Sequence, residues 1–381
     1  MHWDPDSDSD PVSRPQPSGV LRAPVLFIHH FEGLMERLRD GETVVIAEGY
    51  LFIFEKRGYL KAGHFVPEVV VEYPELVRLQ YQEFARAGSD VVLAFTYYAN
   101  REKVKLAGRE HEIEKINRTA LRMAREIADE TGTLMAGNIC NTNIFVPNDP
   151  ENHAKIKGYF KEQIEWAVAE KADFILGETF SDYGEAVIAL EAIKEYGKGL
   201  PAVINYAWHK REVNGRPATL DGVDLCEAFQ NLEAAGADVL GLNCARGPAT
   251  MMTLMKEIKK YVKVPLAAIP VTYRTTEKEP NFQSLTDPIS GVRLFQQDLD
   301  AAMCSRTDIV NFGKSCKELG IQFVGLCCGN DSHYTRTLCE TLGRTVPASR
   351  YSVDMSKHYV FGTQSNLCSR YTKGEGKQFT A

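Results

Sequence analysis

From residue 43 onward the chain alternates short β-branched apolar runs with longer stretches whose apolar residues recur every three or four positions. The short runs are Thr43–Ala47, Asp90–Phe95, Thr133–Ile139, Asp173–Gly177, Ala202–Tyr206, Asp238–Asn243, Pro265–Pro270 and Phe323–Leu326, and they read as strands. The intervening periodicity predicts helices over Pro74–Gly88, His111–Gly132, Ala154–Lys171, Gly184–Gly197, Asp224–Gly236 and Ile309–Gly320. Several end on a Gly directly before the next strand, as in "ARAGSDVV" and "EAAGADVL", where Gly is the usual helix C-cap residue. Eight such repeats fit a (β/α)₈ barrel better than an open doubly wound sheet. No GxGxxG follows the first strand, so a dinucleotide fold lacks its usual support. The longest departure from the rhythm is Val271–Gly291, polar with two Pro; it is expected to be a loop at the barrel mouth.

Composition narrows the classes. A net charge of −7 argues against a nucleic-acid binder, which carries a basic patch. The longest apolar candidate, Ala23–Met35, is shorter than a membrane span and contains His29 and His30. Residues 1–22 are acidic and rich in Pro and Ser. They match neither a signal peptide nor a presequence and read as a disordered tail, so the expected compartment is the cytoplasm. The barrel is expected over 23–346 and a C-terminal extension over 347–381. Nine cysteines do not make a disulfide framework in a chain this long. Cys226, Cys304, Cys316 and Cys339 fall in helical stretches and read as packing thiols.

Barrel active sites form at the C-terminal strand ends. Here those positions hold Glu48, Thr96–Tyr98, Cys140, Glu178, Tyr206, Cys244, Thr272 with Tyr273, and Cys327 with Cys328. Adjacent cysteines strain a mutual disulfide, which raises the question of what Cys327 and Cys328 serve. With Cys244 they place three sulfurs at one mouth. Three thiolates and an open fourth position form a catalytic zinc arrangement; the bland alternative is three inert core thiols. Cys140 is expected to pack. Glu178, directly after an apolar strand, is expected either to cap a helix or to bind a cation. Tyr50, Phe65, Tyr97 and Tyr98 are candidates for a wall against a cationic methyl donor. His29, His30 and His64 are not spaced as ligands.

With these residues assembled, the chain resembles the betaine–homocysteine S-methyltransferase branch of the zinc-dependent homocysteine methyltransferases, from about Leu34 to Leu342. The resemblance is carried by "FEKRGYLKAG" (Phe54–Gly63), "AGSDVVLAFTYYA" (Ala87–Ala99), "GADVLGLNC" (Gly236–Cys244) and "FVGLCCG" (Phe323–Gly329). It implies a (β/α)₈ barrel with Zn²⁺ on Cys244, Cys327 and Cys328. Homocysteine's sulfur would take the open position, its amino group would meet acids including Glu178, and Tyr98 would ligate when substrate is absent. The family's Asp-Gly-Gly after strand one is here "AEGY": Ala47 takes the register of the amine-binding Asp, and Glu48, followed by Gly49, supplies a carboxylate one residue later. A cage tryptophan falls at Phe65 and a cage tyrosine at Thr179. The resemblance therefore implies methyl transfer to homocysteine from an onium donor, with betaine expected first. A sulfonium donor (S-methylmethionine or a dimethylsulfonio acid) and a non-catalytic zinc- and homocysteine-binding barrel are the alternatives. Ser352–Val360 echoes the start of the family's oligomerisation arm, so a homo-oligomer is expected.

Overall fold

The computed structural model describes residues 32–209 and 211–364. The tail over 1–22, His29 and His30, and residues 365–381 of the extension lie outside the described residues.

Eight parallel strands close into a barrel in sequence order. They are β1 (Val44–Ala47), β2 (Val91–Leu93), β3 (Leu134–Cys140), β4 (Phe174–Phe180), β5 (Ala202–Tyr206), β6 (Val239–Asn243), β7 (Leu266–Ile269) and β8 (Phe323–Leu326). Each of the eight runs is a strand, as expected from stretches that are apolar on both faces. β8 closes on β1 with Ala47 opposite Leu326. At that seam a side chain on Gly325 would stand 2.4 Å from the Ile46 carbonyl oxygen, so only Gly allows this approach.

Several strands differ in length from their apolar runs, and two of them, β2 and β4, show why. β2 stops early because the Phe95 N–H donates to the buried Tyr81 hydroxyl at 2.7 Å, leaving the ladder. Its predicted first residue, Asp90, instead accepts the Val45 N–H at 2.7 Å and pairs with Arg37 and Arg344. β4 runs three residues further than its apolar stretch, with a register shift against β5 between Gly177 and Phe180. That irregularity puts Thr179 at φ 64° and carries Glu178 to the barrel mouth.

The six helices expected between strands are present, with ends moved by a few residues. Pro74–Ala87, for instance, ends on Gly88 at φ 109°, and Pro150–Ala169 starts earlier because Asp149 caps it through the Asn152 N–H. Six further helices were not expected: Leu34–Arg39, Tyr50–Lys56, Val69–Glu72, Arg101–Leu106, Pro248–Ile258 and Ser332–Thr341. All are short, from four to eleven residues, so each offers few turns of periodicity to read. The long excursion after β7 lies at the mouth, as expected. Its Phe282 N–H donates to the Ala245 carbonyl at 2.9 Å and its far end returns through Cys304 N–H to Thr272 O at 2.8 Å. The β5–β6 connection adds a small hairpin, Glu212–Val213 with Arg216–Pro217, turned by Asn214 and Gly215, both at positive φ. Cys226, Cys304, Cys316 and Cys339 are all buried, as packing thiols should be.

Candidate active site

The tips of β6 and β8 bring three sulfurs together. Cys244 Sγ lies 3.7 Å from Cys328 Sγ, and Cys327 Sγ lies 3.9 Å from Cys328 Sγ. All three atoms fall within 4.8 Å of one another. Cys244 reaches this point through a left-handed turn, φ 53°, closed by the Arg246 N–H on its own carbonyl at 2.5 Å. The Cys327 and Cys328 backbone is pinned to the β7 exit by Cys327 N–H to Pro270 O at 2.8 Å and Thr272 N–H to Cys328 O at 3.0 Å. Hydrogen bonds from the other two thiols push the Cys244 thiol well below its usual acidity range, while the same bonds push Cys327 and Cys328 up. The cluster thus favours one shared negative charge, which a cation would extend to all three sulfurs.

Beside the sulfurs lie two buried carboxyls. Glu48, Glu178 and Cys327 each offer a ligand atom within 4.8 Å of the others. The Glu48 N–H donates to Leu326 O at 2.9 Å, which continues the β1 ladder past Ala47 and places the Glu48 carboxyl in the site. Glu178 is held on both oxygens: Asn138 Nδ2 donates to Oε1 and Asn243 Nδ2 to Oε2, each at 2.7 Å. Asn243 also receives the Thr179 N–H at 2.9 Å. Burial pushes the Glu178 acid up to about 7, and burial together with the Glu178 charge raises Glu48 well above the usual carboxylate range. Both Glu48 oxygens are buried without a hydrogen-bond partner. Buried carboxyl oxygens left unmatched are costly, so the Glu48 oxygens are open to a donor group that enters the site.

Asn138 and Asn243 were not singled out from the sequence. Their signal was a lone amide within an otherwise apolar strand, in "LMAGNIC" and "GLNC". Cys140 packs as expected, buried with its sulfur accepting the Tyr98 N–H at 3.2 Å. Tyr98 sits at φ 58° against Tyr97, ring centroids 4.3 Å apart, with its phenol pushed to about 12 by burial.

Two cavities meet at the cysteines. A small inner one is lined by Glu48, Gly49, Tyr50, Glu178 and the three cysteines. A wider one of 350 Å³ is lined by Phe65, Tyr97, Tyr98, Thr179, Cys244 and Cys328, among others. Tyr50 therefore stands apart from the other three wall candidates. Its ring packs against Tyr81, Phe84 and Phe95 at 5.2–5.5 Å and borders only the inner cavity of the two. His64 is exposed and plays no part.

Gly49 lines the inner cavity and packs closely on the Cys327 backbone. It adopts φ 100°, and a Cβ there would stand 2.7 Å from the Cys327 carbonyl oxygen. Gly49→Ala is expected to destabilise the fold by about 1–3 kcal/mol and to displace the Cys327–Cys328 tip. Gly58 has a similar φ of 79° with nothing within 4 Å of an added Cβ. Gly58→Ala should therefore pay only the backbone strain. Thermal unfolding alongside metal titration separates the two: both variants lose stability, and only Gly49→Ala loses metal affinity.

A model of the family described as homocysteine S-methyltransferase matches residues 53–342. The chain belongs to the homocysteine S-methyltransferase family. It is 34% identical over 321 residues to betaine–homocysteine S-methyltransferase 1 of Xenopus laevis, covering 82% of this chain and 75% of that protein. It is 32% identical over 361 residues to an S-methylmethionine–homocysteine S-methyltransferase of Mus musculus, covering 92% and 90%. The fold matches the crystal structure of a metallated homocysteine methyltransferase from Escherichia coli with a TM-score of 0.61, at 17% identity over 80% of this chain and 98% of that one. Membership makes this homocysteine methyltransferase chain an enzyme of methyl transfer and accounts for the (β/α)₈ barrel. No helix among the described residues is long and apolar enough to cross a membrane.

Proposed function

We propose that this protein is a zinc-dependent S-methyltransferase that moves a methyl group from an onium donor, betaine foremost, to the sulfur of homocysteine, giving methionine. The observation that carries the reading is the meeting of three close sulfurs, a buried carboxyl pair and a wide aromatic cavity at one barrel mouth. The sulfurs suit zinc: three soft donors lie within 4.8 Å of one another, and Cys244 is already biased to the thiolate. Cys244, Cys327 and Cys328 would hold the ion, with Tyr98 as a further ligand before substrate enters. When bound, zinc supplies a Lewis acid that keeps a substrate thiol deprotonated at neutral pH.

The chain's own residues do the rest. Glu48 and Glu178 receive the homocysteine ammonium, and Asn138 and Asn243 fix the Glu178 carboxylate toward it. Gly49 leaves room for the substrate backbone. The aromatic lining of the wider cavity, with Phe65, Tyr97, Tyr98 and Thr179, excludes water and holds the onium group over the sulfur. The new S–CH₃ bond forms as the donor's N–CH₃ bond breaks, and the electron pair of that bond stays on nitrogen. Such an in-line displacement needs positioning and no general base.

A sulfonium donor is the second reading, favoured by Phe65 and Thr179 standing at the altered cage positions. The exposed apolar residues Tyr351, Val353 and Met355 support 347–381 as a pairing arm of a homo-oligomer. The eight cysteines among the described residues are all buried free thiols, which suits the reducing cytoplasm. The test incubates zinc-loaded protein with homocysteine and, separately, betaine, S-methylmethionine and dimethylsulfonio acids, and reads methionine by mass spectrometry. Betaine is expected to give the most product. Tight homocysteine binding by calorimetry with no methionine from any donor would instead make this a homocysteine-binding barrel.

A further inference from the structure

The two carboxyls at the sulfur cluster are not equivalent. Glu178 has both oxygens held by amide donors, from Asn138 and Asn243. Glu48 is only 2% exposed, and neither of its carboxyl oxygens has a hydrogen-bond partner. Its backbone is nonetheless fixed to β8 and the turn that follows. The Glu48 N–H donates to Leu326 O at 2.9 Å, and Asn330 Nδ2 donates to Glu48 O at 3.2 Å. Ala47 pairs with Leu326, so the next residue on each strand brings Glu48 level with Cys327. A Glu48 carboxyl oxygen, a Glu178 oxygen and Cys327 Sγ all lie within 4.8 Å of one another.

Tetrahedral zinc with Zn–S bonds of about 2.3 Å sets its sulfurs about 3.8 Å apart. The cluster shows 3.7 and 3.9 Å, so these sulfurs already have the spacing of one tetrahedral face, and the fourth vertex needs a further donor. Of the two cavities, only the inner one is lined by all three cysteines, and Glu48 lines it with them; Tyr98 lines the wider one. A carboxylate oxygen is an ordinary zinc ligand. A buried carboxylate without a partner is held in place at a cost unless a cation or a metal matches it.

We infer that Glu48 is a zinc ligand in the homocysteine-free protein and releases the ion when homocysteine enters. In that exchange the bond from the Glu48 oxygen to the ion breaks, homocysteine's sulfur bonds in its place, and the thiol proton leaves to solvent. The freed carboxylate then meets the incoming ammonium. A thiol that brings no ammonium offers no such compensation, so Glu48 selects for amino thiols at the metal itself. This deepens the proposed function and rests on it for zinc and for homocysteine.

The test uses the full chain loaded with Co²⁺ in place of zinc, because the visible bands of Co²⁺ report its ligand set. Glu48→Gln should shift the bands of the homocysteine-free protein, while the homocysteine-saturated spectra of variant and wild type coincide. Coincident saturated spectra also show that the variant's sulfur cluster is intact. A Glu48 that only receives the ammonium would leave the homocysteine-free spectrum unmoved. Titration with 4-mercaptobutyrate, which has no amino group, gives a second reading. It should bind Glu48→Gln about tenfold more tightly than wild type, because the ligand it must displace is gone. The inference is overturned if the homocysteine-free spectrum moves with Tyr98→Phe and not with Glu48→Gln, or if 4-mercaptobutyrate binds the variant no more tightly. Should the variant fail to load, zinc X-ray absorption on the wild type decides: a homocysteine-free site without an oxygen ligand overturns the inference. A wild type that takes up neither metal sinks the zinc reading itself. A Glu48-dependent spectrum with no methionine from any donor sinks the methyltransferase and leaves the ligand. Methionine with a Glu48-independent spectrum does the reverse.

Discussion

Cys244→Ala is expected to reduce zinc content to near background and methionine formation by at least about 100-fold. The substitution removes the only one of the three sulfurs that comes from a different strand. Cys327 and Cys328 are neighbours on one turn, 3.9 Å apart, and two ligands from one turn cannot enclose a tetrahedral ion. Cys244 is also the sulfur most strongly biased to the thiolate, because the other two thiols donate to it, so its loss removes the cluster's resident negative charge. The fold should survive. Cys244 sits past the end of β6, its N–H still donating to Ile269 O at 2.9 Å, and a buried Cys→Ala change costs on the order of 1 kcal/mol. Metal analysis, circular dichroism and a methionine assay on one preparation check this. Cys140→Ala is the control, since Cys140 packs under Tyr98 and is no part of the sulfur cluster; it should keep its zinc. A Cys244→Ala protein with full zinc and full activity would sink the assignment.

The barrel was legible because buried parallel strands leave an unbroken apolar signal, and all eight runs carried it. Strand ends were less legible, since they depend on partners distant in sequence: Tyr81 captures the Phe95 N–H and Asp90 caps Val45. The chemistry that could be read, Glu48, Glu178 and the three cysteines, shares one property. Each is a reactive side chain directly after an apolar run, where a barrel places its mouth. Asn138 and Asn243 lie within strands, and their function depends on which face of the barrel they present, a matter of register. Tyr50 shows what position alone leaves open: the helix Tyr50–Lys56 packs its ring against Tyr81 and Phe84, so it borders the inner cavity beside Glu48 and the cysteines and not the wider one. Phe282 and Phe295 line the wider cavity yet carried no local signal, because only the path of the chain between β7 and β8 brings them there.

Glu178→Gln should raise the KM for homocysteine roughly 10- to 100-fold, the equivalent of one charge-assisted hydrogen bond of about 1.5–3 kcal/mol. The replacement is nearly isosteric, yet the site cannot accept it quietly. Both Glu178 oxygens receive an amide N–H, from Asn138 and Asn243, so the new Gln nitrogen must face one of those donors. The ammonium of homocysteine then loses an ionised partner while Glu48 remains alone. A substrate analogue without the amino group, 4-mercaptobutyrate, separates this from general damage. The wild type should prefer homocysteine over it, and Glu178→Gln should lose most of that preference. The metal-free protein offers a second reading through pH. Folding raises the Glu178 acid from 4.5 to about 7, so across that window the folded state binds more protons than the unfolded one. Its stability therefore falls as pH rises from about 4.5 to 7 and levels off above. Removing the titrating group should flatten this decline, so the unfolding midpoint of metal-free Glu178→Gln should drop less between pH 5 and pH 7.5 than that of the wild type. Equal discrimination against 4-mercaptobutyrate in both proteins, with parallel pH profiles, would remove Glu178 from amine recognition and leave Glu48 as the group to test.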